Sequence, residues 1–156
     1  MIRLIDLSLL LFTAILFIAC SASTPGANFS APGSINSVQV LRVVDGDTLD
    51  VLIAGNKHRV RLFGIDTPER GERCYQEAMD LTLELSGDSV VIEAGHRREE
   101  KYGRLLFYLY TQSGESIDTK LIQEGLATAW TRDGQHRDKL VREEKNTKEM
   151  GKGCLW

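Results

Sequence analysis

Two short acidic runs hold the residue types best suited to chemistry in this chain, Asp45-Gly46-Asp47-Thr48 and Asp66-Thr67-Pro68-Glu69. Carboxylates brought together repel one another unless a cation separates them. A hard divalent ion with oxygen ligands meets that need, and calcium accepts carboxylates, carbonyls and waters in a loose geometry. Asp47 and Asp66 would be its carboxylate ligands, and the Thr67 carbonyl would add a third oxygen. Neither run contains His or Cys, which argues against zinc. Taken singly, each run also has a plain reading: Asp-Gly-Asp as a turn, and Thr-Pro-Glu as the start of a helix.

The elements that must position these residues follow from periodicity. Ile35–Val44 alternates apolar and polar residues, as a half-buried strand does; Thr48–Ile53 resumes the pattern, and His58–Ile65 follows the turn Ala54-Gly55-Asn56-Lys57. A meander of these three segments sets the start of the second strand beside the end of the third, which brings Asp47 towards Asp66. Glu72–Ser86 changes to helical spacing through Ala78, Leu81 and Leu85, with Gly87 placed to stop it. Ser89–Ala94 and Leu105–Thr111 return to strand character. Ser116 reads as the N-cap of a short helix ending at Gly125, and a charged helix is expected from about Asp133 to Met150. The expected fold is mainly β with helices: a five-stranded barrel of the OB type with about three helices, whose face and loops suit oligonucleotides or oligosaccharides.

Three blocks taken together resemble one family. Val44-Asp45-Gly46-Asp47-Thr48-Leu49, then Arg61-Leu62-Phe63-Gly64-Ile65-Asp66-Thr67-Pro68-Glu69, then Lys101-Tyr102-Gly103-Arg104-Leu105 look like the signature blocks of the staphylococcal-type nucleases, or thermonucleases. Gly125-Leu126-Ala127 and Leu155-Trp156 are similar to weaker marks of that family, so the resemblance runs over roughly residues 35–156. It implies an OB barrel that cleaves DNA and RNA internally at the bond to the 5′ oxygen, leaving 3′-phosphate ends, with Ca2+ as cofactor. By position, Asp47, Asp66 and Thr67 would hold the ion and Glu69 would be the general base. Arg61 and Arg104 would pair with the scissile phosphate, while Lys101 and Tyr102 would touch substrate. Planar guanidinium forks match phosphate oxygens, which agrees with those roles. The rival is a barrel of this kind that only holds nucleic acid or a partner; such members usually lack one or more of the five catalytic and acidic residues present here. Trp130 is expected in the core, with base stacking as the alternative. His58, His96 and His136 have no metal-ligand spacing and read as surface residues, and His96-Arg97-Arg98 reads as a solvated loop.

Residues 1–34 do not fit the barrel. Leu7–Ala19 is apolar for only about thirteen residues, short of the ~20 that a membrane span needs, and it matches the h-region of a secretory signal. An uncleaved anchor is the alternative. Leu16-Phe17-Ile18-Ala19-Cys20 looks like a bacterial lipobox, which would make Cys20 the lipidated first residue of a cell-envelope lipoprotein; cleavage after Ala22 would instead give a freely secreted protein. This divides the chain into a signal (1–20), a flexible Ser-, Ala-, Gly- and Pro-containing tether (21–34) and the folded domain (35–156). Cys74 and Cys154 remain, an even pair that is a disulfide candidate in an exported chain, two separate thiols being the other reading. A formal net charge of −3 argues against a grip on nucleic acid through bulk electrostatics. A monomer is the default expectation.

Overall fold

The computed structural model describes residues 35–156; the expected signal, the expected lipidation at Cys20 and the expected tether lie outside the described residues. Ten elements follow in order: β1 (Ile35–Asp45), β2 (Thr48–Ile53), β3 (Asn56–Leu62), β4 (Ile65–Asp66), α1 (Tyr75–Ser86), β5 (Ser89–Glu99), β6 (Leu105–Tyr110), α2 (Ile117–Gln123), β7 (Thr128–Ala129) and α3 (Arg137–Glu149).

Five strands close into a barrel in the order β1-β2-β3-β6-β5, which is the five-stranded OB-type barrel with three helices expected from the sequence. β1, β2 and β3 form the antiparallel meander, with Asp45 opposite Thr48 and Thr48 opposite Arg61. The parallel pairing of β3 with β6, Val60 to Leu105 through Leu62 to Phe107, closes the barrel. Alternation decides which side chains fill it. Leu49 and Val51 on β2 and Val60 and Leu62 on β3 are fully buried. Four consecutive residues of β6, Leu106–Leu109, are buried because this strand is covered on both faces. Ile117, Leu121 and Ile122 of α2 and Leu140 of α3 join the same core.

Several boundaries differ from the expected ones, each for a local reason. β3 ends at Leu62, and the chain steps into a separate two-residue pairing of β4 with β7, Ile65 opposite Ala129 and Asp66 opposite Thr128. β5 runs on to Glu99, past the expected end at Ala94. α1 starts at Tyr75 and not at Glu72, because Cys74 adopts a left-handed φ of 71° that no helix interior accepts. α3 starts at Arg137, four residues later than expected, because the Asp133 carboxylate is engaged by Arg97 and by the Trp130 indole. Ser116 caps α2 as expected, its hydroxyl accepting from the Thr119 amide at 3.2 Å.

The C-terminal segment is tied down twice. Cys74 and Cys154 are joined by a disulfide with Cα atoms 5.8 Å apart. Alongside it, Gly125 and Gly153 press backbone on backbone: a Cβ on Gly125 would collide with the Lys152 carbonyl oxygen, and one on Gly153 with that of Glu124. Both glycines also have positive φ, 65° and 83°, so the contact needs glycine on each side.

Candidate active site

The turn between β1 and β2 is built around its own side chains. Asp45 Oδ1 accepts from the Asp47 amide at 3.1 Å, and Leu62 donates its amide to the Asp47 carbonyl at 2.8 Å. Gly46 lets the turn sit against the next loop, since a Cβ there would lie 2.8 Å from Thr67 Oγ1 and 2.9 Å from Ala78 Cβ. Asp47 is thereby driven inward, with 6% of its surface exposed. Its Oδ1 accepts from the Thr48 hydroxyl at 3.0 Å, and its Oδ2 accepts from the Thr67 amide at 3.2 Å. Burial pushes its carboxyl up to about 6 against the opposing pull of Arg61.

Arg61 joins the two acidic runs. Its Nη2 lies 3.1 Å from Asp47 Oδ2 and 2.5 Å from Asp66 Oδ1. Its Nη1 donates to the carbonyls of Leu62 and Ile65, each at 3.0 Å, and so pins the step from β3 to β4. Asp47 and Asp66 therefore approach as the meander requires, with a guanidinium between them. Asp66 is exposed, held by the β4–β7 pair. Glu69 is exposed too, at a turn closed from both sides: its amide donates to the Glu72 carboxylate at 2.8 Å, and the Glu72 amide donates to the Glu69 carbonyl at 2.9 Å.

Arg104 enters from the β5–β6 loop, just before β6. Its Nε pairs with the Glu100 carboxylate, and its Nη1 donates to Thr48 Oγ1 at 3.3 Å, placing it one residue from Asp47. The pairing with Glu100 holds that carboxyl below its ordinary value. Lys101 and Tyr102 stand exposed at the loop tip, the ammonium 4.7 Å from the ring centre. An open cleft of about 720 Å³ runs between this loop and the β7–α3 connection, lined by Arg61, Arg104, Lys101, Tyr102, Trp130 and Arg97 among others.

Three expectations need correction here. Trp130 is half-buried in the cleft wall and not in the core: its Nε1 donates to Asp133 Oδ1 at 2.7 Å, and Arg132 lies 5.0 Å from its ring centre. Arg97 is not in a solvated loop; it belongs to β5, forms a two-bond pair with Asp133 at 2.8 and 3.2 Å, and covers Phe63 at 5.0 Å. His136 is not simply a surface residue, since its Nε2 lies 3.0 Å from the Glu93 carboxylate and its ring meets Tyr108 edge-on at 4.4 Å. His96 is exposed, as expected, and His58 is half-buried. Glu100 and Asp133 were not singled out by the sequence reading, although Glu100 stands four residues before Arg104, a pairing distance for opposite charges across a tight loop. Asp118, fully buried and accepting from the amides of Gly64 (3.4 Å) and Leu109 (3.0 Å), carried no sequence signal at all.

The donor set fits a hard cation. Among the described residues no three His, Cys, Asp or Glu side chains gather, so the ligands on offer are two carboxylates and backbone oxygen. The buried Asp47 carboxyl, raised despite its guanidinium partner, is a place where added positive charge lowers the free energy. The Thr67 backbone, bonded to that carboxylate through its amide, keeps the third oxygen close by.

Comparison with known proteins points to one family. A family profile described as Staphylococcal nuclease homologue matches residues 59–156. A thermonuclease from Staphylococcus hyicus is 28% identical over 161 residues, covering 95% of this chain and 94% of that protein. A micrococcal nuclease from Shigella flexneri is 33% identical over 131 residues, covering 76% of this chain and 72% of that protein. A thermonuclease from Staphylococcus intermedius is 37% identical over 100 residues, 60% of this chain and 59% of that protein.

Proposed function

This chain belongs to the staphylococcal nuclease family, and from that premise we propose that it is a calcium-dependent endonuclease of DNA and RNA, exported and held at the cell envelope by a lipid on Cys20. The observation that supports the reading best is the convergence of Asp47 and Asp66 on Arg61, which lines an open cleft together with Arg104, with Glu69 in the adjoining loop.

Hydrolysis of a phosphodiester puts added negative charge on the non-bridging oxygens, and catalysis is mostly positioning and electrostatic stabilisation. Arg61 approaches the centre from β3 and Arg104 from the loop before β6, so two guanidinium forks would meet one phosphate from two sides. Arg61 arrives already oriented, because two carbonyls hold its Nη1 whatever its Nη2 engages. A calcium ion held by Asp47, Asp66 and the Thr67 carbonyl would supply Lewis-acid charge beside that phosphate. Glu69 is exposed and can accept a proton from an attacking water. Water oxygen bonds to phosphorus as its proton passes to Glu69, the bond from phosphorus to the 5′ oxygen breaks, the 5′ oxygen takes up a proton from solvent to leave as the alcohol, and the phosphate stays on the 3′ side. Lys101, Tyr102 and the half-buried Trp130 line the cleft where the adjoining nucleotides would lie.

The test is to incubate residues 21–156 with single-stranded and duplex DNA, with calcium or with a chelator, and to repeat it with Glu69→Gln. Calcium-dependent cleavage by the wild type is expected, reduced by several orders of magnitude in the variant. Binding without cleavage by the wild type would sink the enzyme reading, and cleavage indifferent to the chelator would sink the metal assignment. Mass spectrometry of the mature amino terminus checks the lipid on Cys20.

A further inference from the structure

β3 carries Lys57, Arg59 and Arg61 at alternate positions, while Val60 and Leu62 between and beyond them are fully buried. The three residues therefore share one face of the strand, their Cα atoms about 6.6 Å apart from one to the next. Arg61 ends this row inside the candidate site, and Lys57 and Arg59 lead away from it.

The outer part of the row is held in place. Asp50, opposite Arg59 on β2, is covered so fully that its side chain is 1% exposed. Its Oδ1 accepts from Arg59 Nε at 2.8 Å, while its Oδ2 meets Lys57 Nζ at 2.9 Å and, from β1, Arg42 Nη2 at 3.1 Å. Hydrogen bonding from Arg59 first, with Lys57 adding to it, keeps the Asp50 carboxyl well below its usual value, so it stays ionised. One carboxylate thus anchors three cations whose side chains remain 45–61% exposed. These four groups sum to two positive charges, which Asp45, acting on Arg59 from β1, reduces to one. An ordinary ion-pair network would balance its charges; this one leaves a surplus of positive charge at the surface of a chain whose formal net charge is −3.

We propose that Arg42, Lys57 and Arg59 form a phosphate-binding row that takes the flanking backbone of a polynucleotide whose scissile phosphate lies at Arg61. The row rests on the nuclease reading for the identity of its ligand. The charged ends converge on Asp50, with Arg42 Nη2 and Lys57 Nζ both within 3.1 Å of its Oδ2, so they present one concentrated set of donors on the strand that ends at Arg61. Preset guanidinium groups bind phosphate with less ordering than free ones. The row reads no base, so it favours long chains over short ones without favouring a sequence.

The experiment compares wild type with Arg42→Gln/Lys57→Gln, which leaves the Arg59–Asp50 pair to hold the strands. Anisotropy of fluorescent single-stranded tetranucleotide and dodecanucleotide is measured in chelator, where no cleavage occurs, over a tenfold range of salt. The dodecanucleotide should bind the variant about tenfold or more weakly, and its salt slope should fall by about 1.4, or 0.7 for each lost contact. The advantage of the longer oligonucleotide should shrink with it. An unchanged slope, or equal losses for both lengths, would overturn the proposal. So would binding of anionic phospholipid vesicles that the variant loses while its oligonucleotide binding stays intact, which would assign the row to a membrane surface. Absence of cleavage by the wild type, with the slope responding as expected, would fail the nuclease reading and leave the row standing.

Discussion

The Arg61 guanidinium lies 3.1 Å from the buried carboxylate of Asp47, while its other nitrogen donates to two backbone carbonyls. One side chain thus neutralises the most buried acid of the site and fixes the backbone that delivers Asp66. Lysine keeps the charge and loses the fork. Arg61→Lys is expected to cost about 2–4 kcal/mol in urea denaturation, as a buried pair and two carbonyls lose partners. A change under about 0.5 kcal/mol would show that the backbone step holds without the fork.

Asp118 predicts a pH dependence. Its carboxyl is fully buried and is pushed up from 3.8 to about 6, burial outweighing the hydrogen bonds from the amides of Leu109, Gly64 and Asp118 itself. A carboxyl raised in the folded state holds its proton more tightly there than in the unfolded chain. Its contribution to stability is therefore complete below about pH 4 and is lost as pH rises through about 6, a change of about 3 kcal/mol. Asp47 is raised to about 6 and falls off in the same window. Asp118→Asn should remove its own share of the pH dependence, so that the difference between variant and wild type changes by about 3 kcal/mol between pH 4 and 6. Parallel curves for variant and wild type would refute the assignment.

The contact of Gly125 with Gly153 predicts intolerance without any side-chain chemistry. An added methyl meets backbone on either side, and φ is positive at both positions. Gly125→Ala and Gly153→Ala should each lower stability by about 3 kcal/mol or more, measured by thermal unfolding. The double variant should lose much less than the sum, because one displacement of the segment relieves both collisions.

The disulfide predicts a redox response. Closing a loop across a separation of 80 residues is worth on the order of 4 kcal/mol by chain entropy. Reduction, or Cys74→Ser/Cys154→Ser, should lower the unfolding free energy by about that amount. The two treatments should agree, and a large effect of reductant on the double variant would point elsewhere.

The barrel was legible because alternation is strong in β1, β2 and β3 and because Gly46, Gly87 and Ser116 stand where turns and caps need them. The two-residue pairing of β4 with β7 was not, since two residues are too few to show a period. The approach of Asp47 to Asp66 followed from topology, but the guanidinium between them did not. An arginine on a strand declares only that it faces outward, and its partners come from the register of two other strands. Trp130 was misplaced for a related reason: its indole is satisfied by Asp133, a local bond with no periodic signature. Asp118 is the extreme case, an acid at the first turn of a short helix that looks like any helix-start residue until the amides of Gly64 and Leu109 close on it.

The order of synthesis adds something to the bridge between Cys74 and Cys154. The loop bearing Glu69 emerges about eighty residues before the thiol that will tether its far end, an interval of roughly 4–16 s at ribosomal rates. β5, β6, α2 and α3 are all made while Cys74 waits. The loop that carries the candidate base is thus translated long before the cysteine that fastens its far end.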